Sequence, residues 1–138
     1  MRITQEADYA LRIICLLAEE QRVLDATTIS EAAYITPRFA LKILRKLVLG
    51  GAVRSYKGAS GGYELARDPS EISMKDVIEL IDGEIAISKC LLDEHLCSKQ
   101  GTNKSACAVH RIFDTINRDV SETLGGITIA SVVGKNKN

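Results

Sequence analysis

The stretch from Thr36 to Gly51, TPRFALKILRKLVLGG, decides the fold of this 138-residue chain. A threonine directly before Pro37 is typical of a helix start, because its hydroxyl can cap free backbone amides and proline suits the first helical position. The apolar residues that follow recur at helical spacing, and Gly50-Gly51 should end the helix. We expect Phe39, Ala40, Ile43, Leu44 and Leu47 to face inward and Arg38, Lys42, Arg45 and Lys46 to face outward.

Two further helices are predicted before this stretch. Thr4 is a candidate N-cap for a helix that ends near Glu20 and carries one apolar stripe, on which Cys15 lies as a small core residue. Thr28 and Glu31 have the spacing of a capping box, which predicts a short helix that ends near Ala33. Because only two or three residues separate that helix from the one at Pro37, the pair predicts a helix-turn-helix.

The residues after Gly51 have the pattern of a β-hairpin. Residues 52–56 and 63–66 have strand character, and the glycine-rich segment 57–62 lies between them as a turn. A basic hairpin directly after the second helix of a helix-turn-helix is typical of the wing of a winged helix. Residues 58–62, GASGG, also match the G-x-S-x-G motif of hydrolases, but a strand follows the turn and no parallel sheet is possible, so we reject a catalytic serine.

Positive charge is concentrated in the same region. The whole chain carries 18 basic and 18 acidic residues, yet residues 36–67 hold seven basic residues and only one acidic residue, Glu64. Such a concentration favours an anionic partner, with double-stranded DNA as the first candidate, and the alternative is a solvated helix face. The predicted base-reading residues are Thr36, Arg38, Leu41 and Lys42, and those for phosphates are Arg45, Lys46, Arg54 and Lys57. The predicted DNA-binding set also includes Pro37 at the helix start and Gly58 and Ser60 in the wing turn.

The second half of the chain predicts two helices and an irregular loop. Ser73 and Asp76 predict a capped helix that ends at Gly83, and an amphipathic helix follows from Cys107 to about Leu124, ended by Gly125-Gly126. The fold class is therefore mainly α with a small β wing, a winged helix-turn-helix plus a long C-terminal dimerisation helix. We divide the chain into a DNA-binding domain (1–83), a cysteine-bearing cluster loop (84–106), and a dimerisation helix with a C-terminal segment (107–138). A two-fold homodimer would bind an imperfect palindrome.

Three cysteines are clustered in the loop region. Cys90, Cys97 and Cys107 are separated by six and nine residues, and His110 follows Cys107 by three positions on the same helical face. Thiolates are soft ligands that suit iron–sulfur clusters or zinc. The paired C-x2–4-C spacing that is usual for zinc is absent, so the spacing favours an iron–sulfur cluster. Zinc and free or disulfide-switching thiols are the alternatives, and His95 is interpreted as a solvated side chain.

The chain resembles the Rrf-two (BadM-type) family of winged-helix transcription regulators, and in particular its IscR- and NsrR-like members with iron–sulfur cysteines. The resemblance covers nearly the whole chain and rests on segments 1–4, 8–12, 35–39, 58–66, 72–77 and 126–130, together with the three late cysteines. It implies a homodimeric repressor or activator whose 2Fe-2S or 4Fe-4S cluster reports iron, redox state or nitric oxide. The nine-residue gap between Cys97 and Cys107 is longer than is usual in the family, which leaves the cluster type open. For the fourth ligand the family offers two precedents, one matching His110 and one matching Asp8 of the partner subunit.

Length and composition limit the remaining functions. Hydrophobic residues make up 46% of the chain, which is enough for a packed core and excludes general disorder. The apolar run at residues 10–18 is about half of the ~20 residues that a bilayer requires, and the N-terminus has no signal-peptide pattern, so we expect a cytoplasmic protein without membrane contact. No acid–base pair is present, and we do not expect an enzyme. The alternative function is a cysteine thiol or zinc redox switch on the same fold, without iron.

Overall fold

The computed structural model describes residues 2–93 and 107–136, with the side chains of residues 135 and 136 excepted. The described chain contains helices and one two-stranded antiparallel sheet. In chain order they are α1 (Gln5–Glu20), α2 (Ala26–Ala33), α3 (Pro37–Leu49), β1 (Val53–Tyr56), β2 (Gly62–Leu65), α4 (Met74–Asp82), α5 (Ala108–Gly126) and α6 (Ile129–Asn136), with short 3-10 helices at Pro69–Glu71 and Lys89–Leu91. This mainly helical architecture with a small β wing confirms the predicted fold class.

Helix α1 lies at the centre of the core and packs against α2, α3, α4, α6 and β2. Its buried face carries Ile13, Ile14 and Leu17, which meet the buried side chains of the other elements. The main contributions of those elements are Ile29 from α2, Ile43, Leu44 and Leu47 from α3, Val77 from α4, and Ile129 and Val133 from α6. Burial of these aliphatic side chains, each worth roughly 1.5–3 kcal/mol, supplies most of the stability of the fold.

The helix-turn-helix forms as predicted, but its first helix begins earlier than the sequence suggested. Helix α2 is capped by Asp25, whose carboxylate accepts a hydrogen bond from the backbone N–H of Thr28 at 2.7 Å. The predicted capping box at Thr28 and Glu31 is therefore wrong, because an aspartate three residues upstream already caps the chain. That hydrogen bond also lowers the pKa of the Asp25 carboxyl. The cap of α3 is confirmed, since the Thr36 hydroxyl accepts from the N–H of Phe39 and Pro37 is the first helical residue.

Phe39 does not face the core as predicted. Phe39 lies at the edge of the buried stripe of α3, so its side chain remains 49% exposed while the next residue, Ala40, is fully buried. The Phe39 ring makes an edge contact with Tyr9 of α1, with 6.4 Å between the ring centroids. Helical spacing alone placed Phe39 on the inner stripe but could not show how wide the buried face of α3 is.

The wing is a hairpin in which Val53 pairs with Leu65 and Tyr56 pairs with Gly62. Leu24 adds one further bridge on the other side, exchanging backbone hydrogen bonds with Tyr63 at 2.8 and 2.9 Å. A side chain at Gly62 would collide with the backbone carbonyl of Leu24, so the close approach requires glycine there. The hairpin is thereby attached to the segment between α1 and α2.

The C-terminal half departs from prediction at its end. The capping box between Ser73 and Asp76 is confirmed. Helix α5 continues through Gly125 and Gly126, which were expected to end it. The residues that follow, assigned from the sequence only to a C-terminal segment, form α6, which places Ile129 and Val133 in the core. Within the described residues, no helix is both long enough and apolar enough to span a bilayer.

Candidate nucleic-acid interface and cysteine site

The outer face of α3 exposes most of the residues predicted to meet DNA. Its N-terminal half presents a mixed surface of hydroxyl, guanidinium, ammonium and apolar groups, which suits contact with base edges. The exposed residues on this face are Thr36, Pro37, Arg38, Leu41, Lys42 and Arg45. A single element thus brings six of the predicted residues together.

Lys46 is placed differently from its neighbours on α3. Its ammonium lies 2.6 Å from a carboxylate oxygen of Glu6 on α1, and the Lys46 side chain is only partly exposed. The ion pair joins the last turn of α3 to the first turn of α1. Lys46 is therefore committed to a contact within the chain, although it belongs to the predicted phosphate-binding set.

The wing supplies a second group of exposed residues. The Arg54 guanidinium donates to the backbone carbonyl of Ala66 at 3.0 Å and lies 4.0 Å from the Glu64 carboxylate, so it is held along the hairpin. Lys57, Gly58 and Ser60 are exposed in the turn. Gly58 has φ +97°, a conformation that other residues rarely adopt, and this lets the turn fold tightly at the tip of the wing.

Four cations on these elements have no acidic partner among residues 2–93 and 107–136. They are Arg38, Lys42, Arg45 and Lys57. Unpaired cations keep their full attraction for an external anion, whereas paired ones have part of it neutralised. The face formed by α3 and the wing is therefore electropositive.

Two aromatic residues near this face were not found by sequence reasoning. Tyr34, in the turn between α2 and α3, is 88% exposed and has φ +58°, which is uncommon for a bulky residue. Behind it, the Arg12 guanidinium lies 5.1 Å from the centre of the Tyr9 ring and donates to the carbonyl of Ala33 at 3.3 Å. The positive φ and the exposure of Tyr34 cannot be predicted from the sequence pattern and are seen only in the structure.

The structure places two of the predicted metal-site residues in side-chain contact, with a third one helical turn away on α5. The Cys90 sulfur lies 3.2 Å from Nδ1 of His110, and the Ser88 hydroxyl lies 3.3 Å from the same sulfur. Cys107 is the N-cap of α5, and its sulfur accepts a hydrogen bond from the backbone N–H of His110 at 3.5 Å. Cys97 and His95 fall outside the described residues.

The donor set suits a soft metal centre, but the described part of it is not assembled into one. Two thiols and an imidazole are the ligand types that iron–sulfur clusters and zinc take. Among the residues that the structure describes, no three His, Cys, Asp or Glu side chains converge closely enough to hold a metal ion. Asp8, the alternative fourth ligand, is ion-paired with Arg12 at 2.9 Å on α1.

Cys15 is separate from this group. It lies on α1 against the hydrophobic core, half-buried. Burial, and secondarily the negative charge of Glu19, raise the pKa of the Cys15 thiol. A thiol with a raised pKa is a weak nucleophile and a poor ligand near neutral pH, which fits a packing role.

The fold and its exposed basic face define a winged helix-turn-helix protein of the DNA-binding class, and comparison with known proteins agrees. A sequence model described as "Rrf2: Iron-dependent Transcriptional regulator" matches residues 3–135. A protein of Aquifex aeolicus named as an HTH-type transcriptional regulator is 31% identical over 126 residues, which cover 91% of this chain and 86% of that protein. The chain belongs to the Rrf2 family of transcription regulators, whose members bind DNA and are not enzymes.

Solved structures show the same fold. CymR, described as the global cysteine regulator of B. subtilis, superposes with a TM-score of 0.80 at 20% identity and covers 98% of both chains. IscR of T. potens superposes with a TM-score of 0.76 at 20% identity, covering 99% of this chain and 88% of that one. At these identities the likeness concerns the fold alone.

Proposed function

We propose that this transcription regulator controls its operator binding through an iron–sulfur cluster held at the cysteine site. The observation that carries the proposal is the 3.2 Å contact between the Cys90 sulfur and His110 Nδ1, with Cys107 one helical turn before His110. Residues twenty positions apart in sequence thus supply a thiol and an imidazole at one place. The iron-dependent description of the family supports the same assignment.

Cys90, Cys97, Cys107 and His110 are the proposed ligands, and either a 2Fe-2S or a 4Fe-4S cluster suits this number of donors. Imidazole accompanies thiolates in Rieske centres, which gives His110 precedence as the fourth ligand. Asp8 is the alternative, but it would first have to leave Arg12. When bound, such a cluster supplies a redox-active centre that reacts with small molecules, so its loss or alteration can carry a signal.

DNA recognition is assigned to α3 and the wing. Thr36, Arg38, Leu41 and Lys42 are proposed to meet base edges in the major groove, since they lie at the exposed N-terminal end of the second helix of the helix-turn-helix. Arg45, Arg54, Lys57 and the backbone around Gly58 and Ser60 are proposed to meet phosphates. Lys46 contributes less, because Glu6 neutralises it.

The functional unit is proposed to be a homodimer joined through α5. In the single chain no residue of α5 is buried, and Val109, Ile112 and Ile116 are 57%, 58% and 45% exposed. These three lie on one side of the helix. Ile112 and Ile116 also line a shallow groove, together with Ala108, Arg111 and Thr115. An apolar stripe of this kind is expected to be covered by a partner helix, and a two-fold dimer would match a palindromic operator.

A second function is favoured by the same contact. The Cys90 sulfur is in hydrogen-bond contact with His110 Nδ1, and a thiol beside an imidazole also suits a redox switch without iron. The likeness of fold to CymR, described as a cysteine regulator, supports this alternative. Zinc held by the same residues is a variant of it.

Anaerobic reconstitution with iron and sulfide tests the proposal. We expect the wild-type protein to gain visible absorbance and bound iron. Single changes of Cys90, Cys97 or Cys107 to alanine should each abolish both signals, and Cys15→Ala should leave them unchanged as the matched control. Loss of the Mössbauer signal of the unique iron in His110→Ala, but not in Asp8→Ala, would support His110 as the fourth ligand. A colourless wild-type protein, with or without stoichiometric zinc, would contradict the cluster and favour the alternative.

A further inference from the structure

We propose that Asn117 is a positioning residue that fixes the Cys90-bearing segment on α5 and thereby sets the contact between Cys90 and His110. The inference rests on the proposed function only in taking Cys90 as part of the sensing site. Nothing in the sequence pattern drew attention to Asn117, which lies beyond the cysteines on the long helix.

Both ends of the Asn117 amide are used by the segment before Cys90. Its Oδ1 accepts a hydrogen bond from the backbone N–H of Ile87 at 2.9 Å, and its Nδ2 donates to the backbone carbonyl of Ile85 at 3.0 Å. The side-chain amide offers an acceptor and a donor on neighbouring atoms, and both are used here. The Ile85 side chain is itself buried, so the segment is anchored at this point by packing as well.

The spacing of the two attachments fixes the register of the segment. His110 and Asn117 are seven residues apart, which is close to two helical turns and places them on the same side of α5, about 10.5 Å apart along its axis. Cys90 follows Ile87 by three residues and lies in the 3-10 helix Lys89–Leu91, so this stretch spans less than the about 10 Å of three extended residues, and the side chains of Cys90 and His110 bridge the remainder. The segment therefore runs antiparallel to α5 with little slack between its attachment at Asn117 and the contact of Cys90 with His110.

Removal of the Asn117 amide should allow the segment of residues 85–90 to shift relative to α5. Without it, the Ile87 N–H and the Ile85 carbonyl lose their partners, and the segment can satisfy them with water only by moving away from α5. Cys90 would then lose its fixed position beside the imidazole of His110. A residue with a purely local role would instead change stability without altering the surroundings of His110.

The test uses the full-length, reduced, metal-free protein and reads the side-chain 15N resonances of His110 by NMR. The chain has only two histidines, so His95→Gln assigns the spectrum. The variants are Asn117→Leu and Asn117→Asp, with Cys90→Ala marking the position of the Nδ1 signal when the sulfur is absent. Arg118→Gln, an exposed change on the next residue of α5, is the matched control. Hydrogen exchange at the Ile87 amide reports separately whether its bond to Asn117 is lost.

We expect Asn117→Leu to speed exchange at Ile87 about five-fold, as loss of one hydrogen bond predicts, and to move the His110 Nδ1 signal toward its position in Cys90→Ala. Arg118→Gln should move neither signal. If Asn117→Leu does not fold, Asn117→Asp is read in the same way for His110, because its carboxylate cannot donate to Ile85. An unchanged His110 signal in a folded Asn117 variant would overturn the proposal.

The readout separates this inference from the proposed function. It is taken without metal, so a wild-type protein that binds no cluster would contradict the proposed function and leave the His110 result intact. Conversely, an unmoved His110 signal in the Asn117 variants, together with normal cluster assembly in the wild type, would overturn only the role of Asn117.

Discussion

The cations on the electropositive face formed by α3 and the wing differ in whether they already have a partner within the chain. Lys46 is tied to Glu6, and Arg54 is held along the wing by Ala66 and Glu64. Arg38 and Lys57, by contrast, are exposed and have no acidic partner in the part of the chain that the structure describes. Arg38 lies at the start of α3 and Lys57 at the tip of the wing, so the two can be compared as a base-reading and a phosphate-binding cation.

We predict that Arg38→Ala relaxes sequence preference, at a cost of about 1–3 kcal/mol against the best site. Lys57→Ala should weaken binding to all sequences alike and reduce the salt dependence, because it removes one phosphate contact. Fluorescence anisotropy on an operator and single-base variants, at several salt concentrations, measures both effects. Arg22→Gln, an exposed change outside the basic region, is the control. A loss of preference in Lys57→Ala but not in Arg38→Ala would invert the two assignments.

At the scale of elements, the sequence predicted what depends on local chemistry. The cap at Thr36 and Pro37, the capping box at Ser73 and Asp76, and the glycine-rich wing turn each need only neighbouring residues, and all three appear in the structure. The prediction for Phe39 was wrong because its burial depends on how wide a face of α3 the neighbouring elements cover, and Phe39 lies at the edge of that face. Cys90 and His110 could be expected to meet only as ligands of a common site, since the nineteen residues between them do not specify a distance.

Helix α6 was missed although the sequence contains a cue for it. Its β-branched composition does not favour a helix, but the Thr128 hydroxyl accepts a hydrogen bond from the N–H of Ser131 and so caps the chain at a helix start. Ile129 and Val133 are four residues apart and are both buried. A cap followed by a single i, i+4 pair is too short a pattern to outweigh β-branched composition.

We predict that Ile129→Ala destabilises the protein by about 2–5 kcal/mol, because it leaves a cavity where α6 meets the core. Val132→Ala on the same helix removes a half-buried side chain and should cost clearly less. Chemical denaturation followed by circular dichroism compares the two. Equal stabilities of both variants would show that α6 does not close the core as described.

At the scale of the whole molecule, α5 has two sides with different roles. One side receives the segment of Cys90 through His110 and Asn117, and the apolar stripe of Val109, Ile112 and Ile116 is open in the single chain. If a second copy covers the stripe, the cysteine site lies next to the dimer interface on the same helix. A change at the cysteines could then alter how the two basic faces are set relative to each other.

We predict that Ile116→Glu dissociates the dimer, since burial of an unpaired carboxylate in an apolar interface costs several kcal/mol. Sedimentation velocity of the wild type and the variant measures this directly. Arg118→Glu introduces the same side chain on another side of α5 and should remain dimeric. An unchanged dimer in Ile116→Glu would mean that the exposed stripe is not the interface.

The affinity for one operator DNA, measured in the cluster-loaded and the cluster-free state, tests most directly whether the cysteine site controls operator binding. Coupling between a sensing site and a DNA-binding face is typically worth about 5- to 150-fold in affinity. We predict that an anaerobic anisotropy titration shows a difference in that range for the wild-type protein. Cys90→Ala, treated identically, should bind with one affinity in both preparations. Equal affinities of a demonstrably loaded and a cluster-free wild-type protein would contradict the claim that the cysteine site controls operator binding.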